Sequence, residues 1–407
     1  MKEISNTIFN VLIVGGGASS FFCTSNLSVN GRVAIIEQSK NILSKVKVSG
    51  GGRCNVTNDV SEPEDLIKNY PRGRKELLGP FFKFNCTNTF SWFEERGLKL
   101  KTEEDGRVFP VSNDSQDVID ILTRETLKNK IQIIKETKVI GLDYKNDIWH
   151  IYTNRETFLC KNIVLGTGSS KVIWEKLKEL NVSIVESVPS LFTFKIKEHT
   201  LKSLSGISVE NAEVKLVGSD ICQSGPLLIT HEGLSGPAIL KSSAFGARIL
   251  AQMDYQFSIR INWLPQLTEK VIFELIRSIG KKKVSNGFHY LPQRLWLKIL
   301  ETSNVSLEKN WAELRKEEAQ SILNNIFHME LQVTGKSTFK EEFVTAGGIS
   351  LQEINFKNFS LKKYPTIYCI GEMLDIDAVT GGFNFQACWT GGYLAAMDLN
   401  LKFQDYN

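Results

Sequence analysis

The sequence predicts an α/β fold in which a parallel-stranded domain is built from both ends of the chain, with a β-rich, barrel-like domain and a small helical subdomain inserted between them. Three observations carry this. A strand, a glycine turn, a helix and a second strand open the chain over 9–37, alternating strands without regular helical crossovers follow Pro189, and a strand feeding a glycine turn returns over 365–371. The 407 residues are 42% hydrophobic and 23% charged, a composition that supports a sizeable core and excludes disordered, fibrous and disulfide-stapled classes.

In order along the chain, the apolar run 9–14 ends in Gly15-Gly16-Gly17, residues 18–29 follow at helical spacing, and 33–37 is again a strand. Such a unit sets two parallel strands side by side and brings the first turn to the carboxyl edge of the sheet, where open α/β folds bind ligands. A helix over 117–128 presents Val118, Ile121, Leu122 and Leu127, strands are expected at 131–134, 139–142 and 149–152, and the strand 162–165 ends at Gly166-Thr167-Gly168. Strands at 191–196, 212–217 and 256–261 then suit an antiparallel sheet or small barrel. Amphipathic stretches at 271–279, 295–300 and 311–326 follow. A strand at 365–370 and a helix at 386–401 restore the α/β texture. The expected division is 1–190 with 343–407 for the first domain, 191–265 with 328–342 for the β-rich insert, and 266–327 for the helical subdomain.

Charge names no partner: 49 Lys and Arg against 45 Asp and Glu leave +4, too little for a nucleic-acid stripe or membrane attraction. Seven cysteines, with no CxxC pair and no metal-type spacing to the five histidines, fit reduced thiols and no metal site. The run 9–14 is too short and too glycine-broken for a signal core or a membrane span. The expectation is a cytoplasmic protein with a small-molecule substrate and neither a nucleic-acid nor a membrane partner.

Gly15, Gly17, Ala18 and Ser19 occupy the turn and helix start of a Rossmann-like dinucleotide fingerprint, in which glycines permit a tight turn and close approach to a pyrophosphate. Glu37 stands 20 residues beyond Gly17, where a carboxylate accepts hydrogen bonds from ribose hydroxyls. Ser20 takes the place of the usual third glycine or alanine. The bland alternative is a structural turn without a ligand.

The most unusual passage runs from Lys45 to Asn58 and includes Ser49-Gly50-Gly51-Gly52-Arg53-Cys54-Asn55. It resembles bacterial FAD-binding flavoproteins with an SGGGRCNxTN loop, variously described as NAD(P)/FAD-dependent oxidoreductases, aminoacetone-oxidase-like or bile-acid-reductase-like enzymes, within the glutathione-reductase-type FAD superfamily. The resemblance continues through Asp105-Gly106-Arg107-Val108-Phe109-Pro110, residues 230–238 and residues 344–349. Gly371-Glu372-Met373-Leu374-Asp375-Ile376-Asp377 and Thr380-Gly381-Gly382-Phe383-Asn384-Phe385-Gln386 are similar to the family's second FAD motif, with Ala378, Phe383 and Thr390 replacing the usual glycine, tyrosine and serine. The resemblance implies FAD as cofactor, held also by Lys45, Ser49, Gly51, Gly52, Arg53, Cys54 and Asn55, and by Thr167 and Gly168 near the adenine half.

The residues themselves support parts of that implication. Glu372 and Asp375 at a strand end suit ribityl hydroxyls, and Gly371 and Gly382 mark the turns. Gly382 and Phe383 lie in a glycine-rich turn that starts a helix, and a helix N-terminus there would offer backbone donors from Asn384, Phe385 and Gln386, with roughly half a positive charge, to the anionic N1–O2 edge of a reduced flavin. Arg53 is a candidate fixed donor. Cys54 reads either as a redox thiolate, lacking the second cysteine of a disulfide reductase, or as a small packing residue beside the cofactor. Gly166-Thr167-Gly168 reads as a cofactor turn or a plain crossover. His231 and Glu232 read as a proton relay or a solvated loop, Arg107 as a substrate anchor or a surface turn, and 281–283 as a solvated lysine turn.

The function expected from these features is hydride transfer between flavin N5 and a small organic substrate reaching it in a cleft between the domains, with NAD(P)H as a transient reductant. An oxygen-using amine oxidase is the alternative within the same class. A flavin-dependent RNA-modifying or RNA-binding protein and a flavin sensor without turnover are the alternatives outside it. No catalytic acid or base is identified.

Overall fold

The structure is a computed structural model that describes residues 4–197, 199–286, 288–337 and 344–404. The chain divides into two compact units, Met1–Ser187 with Thr345–Asn407, and Val188–Val344.

In the first unit the sheet runs in the order Ile354–Asn355, Ser360–Leu361, Ile367–Cys369, Thr157–Leu165, Ile4–Val14, Val33–Ile36, Gln132–Ile134. The strands from Ile367–Cys369 to Gln132–Ile134 are mutually parallel. Val14 therefore lies opposite Ile36 on one side and Leu165 on the other, and Cys369 lies opposite Leu165. Strands covered on both faces need apolar residues at successive positions, and Val11, Leu12, Ile13, Ile163, Val164 and Leu165 are all buried. The antiparallel strands Val139–Lys145 and Ile148–Thr153 extend the sheet from Thr157–Leu165.

The helix Ala18–Ser25 packs against Phe383–Gln404 and Ser115–Lys128. It ends four residues before the expected 29, because Asn26 turns back and donates its amide to Phe22 O (2.7 Å). Three helices of this unit lack a strong sequence signature. Arg74–Lys83 carries Pro80 inside it, Cys86–Glu94 starts from an Asn85–Asn88 capping box, and Lys171–Glu179 fills the segment after Gly168.

The second unit is a closed antiparallel barrel: Phe194–Ile196, Gly233–Ser235, Cys222–Ile229, Ser208–Leu216, Phe257–Asn262, Met329–Lys336. Alternation explains its inner face, since Phe257, Ile259 and Ile261 point inward while Arg260 is exposed and paired with Glu330. The first strand starts at Phe194 rather than 191, as Leu191 sits at a positive φ of 54°. The helix Pro237–Gln252 packs on the barrel strands Cys222–Ile229 and Ser208–Leu216 and touches Gly233–Ser235, with Gly246 against Leu216. Helices Glu269–Ser278, Gln293–Thr302 and Lys316–Phe327 share one buried core with the barrel, in which Trp296 stacks on Phe288 at 4.2 Å. Among the described residues, no helix is long and apolar enough to cross a membrane.

Candidate cofactor site

Neighbouring strand ends bring the first glycine turns together. The Gly15 N–H bonds Ile36 O (2.8 Å), and φ is +100°. A side chain there would place its Cβ 2.6 Å from Gly166 O, so only glycine lets the two turns lie this close. Gly17 caps the helix from an extended conformation without a side-chain hydrogen bond, Ala18 begins it, and Ser19 is buried against Gly371. Thr167 donates to Met373 Sδ (2.7 Å), and Gly168 faces Glu372.

Glu37 holds the turn itself. Its Oε2 accepts from Gly16 N (2.6 Å) and its Oε1 from Ser39 N (2.7 Å), leaving each oxygen a further lone pair. Lys45, on the short helix Ser44–Val48, forms an ion pair with Glu372 from the opposite end of the chain. Asp375 is buried, and its N–H bonds Ile349 O (3.1 Å), placing the 345–349 motif directly behind this strand end.

The triple-glycine loop is held from within. Ser49 Oγ donates to Val46 O (2.8 Å), Cys54 N to Ser49 O (3.0 Å), and Cys54 sits at a φ of +57°. No protein atom lies within 4 Å of where a Cβ would stand on Gly51 or Gly52. Arg53 pairs with Glu103 (2.7 Å) and lies over the Phe109 ring at 4.0 Å. Arg107 joins that cluster through Glu103 (3.1 Å) and Asp105 (2.7 Å), as an anchor of the loop. Burial pushes the Cys54 thiol up to about 12, and all seven cysteines are free, so Cys54 is neither a thiolate at neutral pH nor half of a disulfide.

The helix Phe383–Gln404 starts in the same neighbourhood. With its side-chain amide turned so that the oxygen faces Gly382 N, Asn55 accepts from that N–H (2.9 Å) and donates to Thr57 O (2.9 Å) and Val108 O. Gly382 packs against the Thr57 backbone where a Cβ would collide, at a φ of +88°. Asn384 closes the preceding loop through Ala378 N (3.0 Å) and Ala378 O (3.1 Å), and Phe385 stacks on Trp389 at 5.4 Å. Of the backbone donors expected here, Gln386 N is bonded to Gly382 O (3.0 Å) within the helix, which leaves Phe383, Asn384 and Phe385 as its terminal donors. The Gln386 side chain, fully buried, instead accepts from Thr57 Oγ1 (2.7 Å) and Thr89 Oγ1 (2.8 Å).

The opening turn, the 45–55 loop, the 166–168 turn and the 371–385 segment therefore meet at one edge of one sheet. The chain matches the HI0933-like protein Rossmann domain over residues 9–398. It belongs to that family. That family binds FAD and its members are FAD-dependent oxidoreductases. It is 25% identical to the ribosomal RNA dihydrouridine synthase of Escherichia coli (strain K12), over 96% of this chain and 98% of that protein. It is 24% identical to the 3-dehydro-bile acid delta(4,6)-reductase of Clostridium scindens, over 94% and 97%. Its fold is similar to 3-ketosteroid delta1-dehydrogenase from Sterolibacterium denitrificans, with a TM-score of 0.51, 11% identity, and coverage of 97% of this chain and 100% of that one. A flavocytochrome c3 fumarate reductase gives a TM-score of 0.50 at 14% identity, covering 97% and 78%.

The residues present fit FAD. Gly51 and Gly52 open onto space without protein atoms, the turns at Gly15 and Gly166 lie backbone to backbone, and a helix N-terminus faces the same edge. Sequence reasoning marked Asn58 only as the end of the triple-glycine passage, with no role, where it donates to Gly381 O (3.0 Å), and did not single out Tyr70, which donates to Phe383 O (2.6 Å), or the Arg72–Asp377 ion pair. For the ion pair the signal was the second carboxylate of Asp375-Ile376-Asp377, beside the one that was noticed. His231 and Glu232 belong to the second unit, on an exposed turn 4.0 Å apart, with side chains 67% and 41% accessible. Lys283 there pairs with Glu308.

Proposed function

We propose that this flavoprotein reduces a carbon–carbon double bond conjugated to a carbonyl in a small organic substrate, with NAD(P)H as the transient reductant. Bound FAD supplies the hydride carrier at N5 and an electron sink at the N1–O2 edge. Gly15, Gly17, Ala18 and Ser19 would hold its pyrophosphate, Glu37 a ribose, Glu372 and Asp375 the ribityl chain, and the 49–55 loop, Thr167 and Gly168 the remaining surface. The observation that carries the reading is the helix start at Phe383, whose terminal N–H groups and dipole favour negative charge at one fixed place.

Direction of transfer rests on the relatives. A dihydrouridine product and a reduced delta(4,6) system both arise by adding two hydrogens across a carbon–carbon double bond. Cys54, held as the neutral thiol, leaves the electrons to pass without a dithiol relay. The second reading makes the substrate a uracil ring within RNA. It is favoured by the end-to-end match to two proteins named ribosomal RNA dihydrouridine synthase, and opposed by a net charge of only +4.

The test begins with an absorbance spectrum and chromatography of the released cofactor, followed by anaerobic mixing with NADH or NADPH. Expected results are a yellow protein, bleaching by the reduced nicotinamide, and rapid reoxidation by a conjugated enone but slow reoxidation by air. A colourless protein that takes up no added FAD overturns the reading. Reoxidation by a uridine-containing transcript alone moves it to RNA, and reduction by an amine with prompt peroxide release moves it to an oxidase.

A further inference from the structure

Arg72 and Asp377 form an ion pair inside the first unit, with side chains 10% and 0% accessible. The guanidinium Nε and one Nη engage the two carboxylate oxygens in parallel, and the two residues also form an antiparallel backbone bridge. On either side the segments are stitched further. Val379 N donates to Asn69 O (2.9 Å), and Tyr70 Oη donates to Phe383 O (2.6 Å). The loop that Asp377 enters is closed on itself by Asn384 and ends at the helix start.

A buried ion pair is a poor source of net stability, because removing both charges from water costs several kcal/mol and an apolar pair of similar volume is often as stable. What a planar fork adds is direction, since two parallel bonds fix both the distance and the angle of the carboxylate. We infer that Arg72, acting through Asp377, is a positioning residue that sets where the N–H groups of Phe383, Asn384 and Phe385 stand. Resting on the flavin reading above, it biases the site toward the reduced cofactor. Neither residue touches the cofactor in this role.

The experiment compares wild type, Arg72→Lys, Arg72→Gln, Asp377→Asn and the apolar double variant Arg72→Met/Asp377→Leu. Three quantities are read: melting temperature of the apoprotein, FAD affinity by fluorescence quenching, and flavin midpoint potential. Each single neutral variant is expected to lower the melting temperature and to weaken binding of reduced relative to oxidised flavin about tenfold, a fall of about 30 mV for a two-electron couple. The double variant recovers the melting temperature and keeps the lowered potential. Arg72→Lys keeps the charge without the fork, and is expected to melt close to wild type at an intermediate potential. A double variant recovering both melting temperature and potential, or potentials equal to wild type throughout, overturns the inference and leaves the flavin reading standing. Wild-type protein that takes up no FAD overturns both. If the neutral single variants do not fold, the lysine variant alone decides: a wild-type potential in it rejects the positioning role.

Discussion

The turn at Gly15 to Gly17 is fastened by backbone groups and one carboxylate, whereas the turn at Gly381 to Gly382 is fastened by side chains. In the first, Gly15 N bonds Ile36 O, Leu43 N bonds Gly16 O and Gly16 N bonds Glu37, all within about 30 residues. In the second, Asn55, Asn58, Thr57, Tyr70 and Thr89 reach across roughly 300 residues of sequence to hold residues 381 to 386. A turn closed by its own backbone keeps its shape under most nearby side-chain changes and fails when a Cβ is forced into it. A turn gripped by distant polar side chains fails when one partner is removed.

Gly15→Val tests the first kind. It places a branched side chain at a positive φ against Gly166 O, and is expected to cost about 2 to 6 kcal/mol from backbone strain and overpacking together. Loss of folded, yellow protein on expression is the readout, and normal melting with bound flavin would break the contrast. Gln386→Met tests the second kind. It strips the acceptor from the buried Thr57 and Thr89 hydroxyls, about 2 to 4 kcal/mol by urea titration, although no backbone atom is displaced. Ser20→Ala should go the other way. Its Oγ is buried without a hydrogen-bond partner beside Gly166, so alanine is expected to raise stability by about 1 kcal/mol.

A further effect, absent at neutral pH, is confined to alkaline solution. The folded chain raises the Cys54 thiol from 9.0 to about 12, so its neutral form contributes stability in full below pH 9, and that contribution is lost as pH rises from 9 through about 12. Cys54→Ala should therefore narrow the stability difference between pH 7 and pH 10, and leave the rate of flavin reduction within about twofold. A large fall in that rate would return Cys54 to the redox chemistry.

The same contrast decides what could be read from sequence. The opening turn is local, so glycines 15 and 17 with an acid at 37 were enough to place it, and strand runs at 191–196, 212–217 and 256–261 without helical crossovers were enough to suggest an antiparallel sheet or small barrel. Helix Cys86–Glu94 escaped because Asn, Thr and Ser fill positions where a periodic apolar face would announce it, and Pro237–Gln252 because serine, alanine and glycine pack its buried side. Glu37 was placed correctly beside the turn, yet its use in holding Gly16 and Ser39 depends on a rotamer that spacing does not encode. Arg72 and Tyr70 were invisible for a plainer reason: nothing in residues 69–73 indicates that they will meet residues 377–383.

Strand order has a consequence for how the protein comes into being. The ribosome delivers residues 1–187, then all of Val188–Val344, and only afterwards the strand Ile367–Cys369 that sits beside Thr157–Leu165. Synthesis of Val188–Val344 alone takes roughly 8 to 30 s at about 5 to 20 residues per second, before residues 345–366 and the strand itself follow. Until that strand arrives, residues 163–165 present an open parallel edge that the finished sheet covers with Ile367–Cys369.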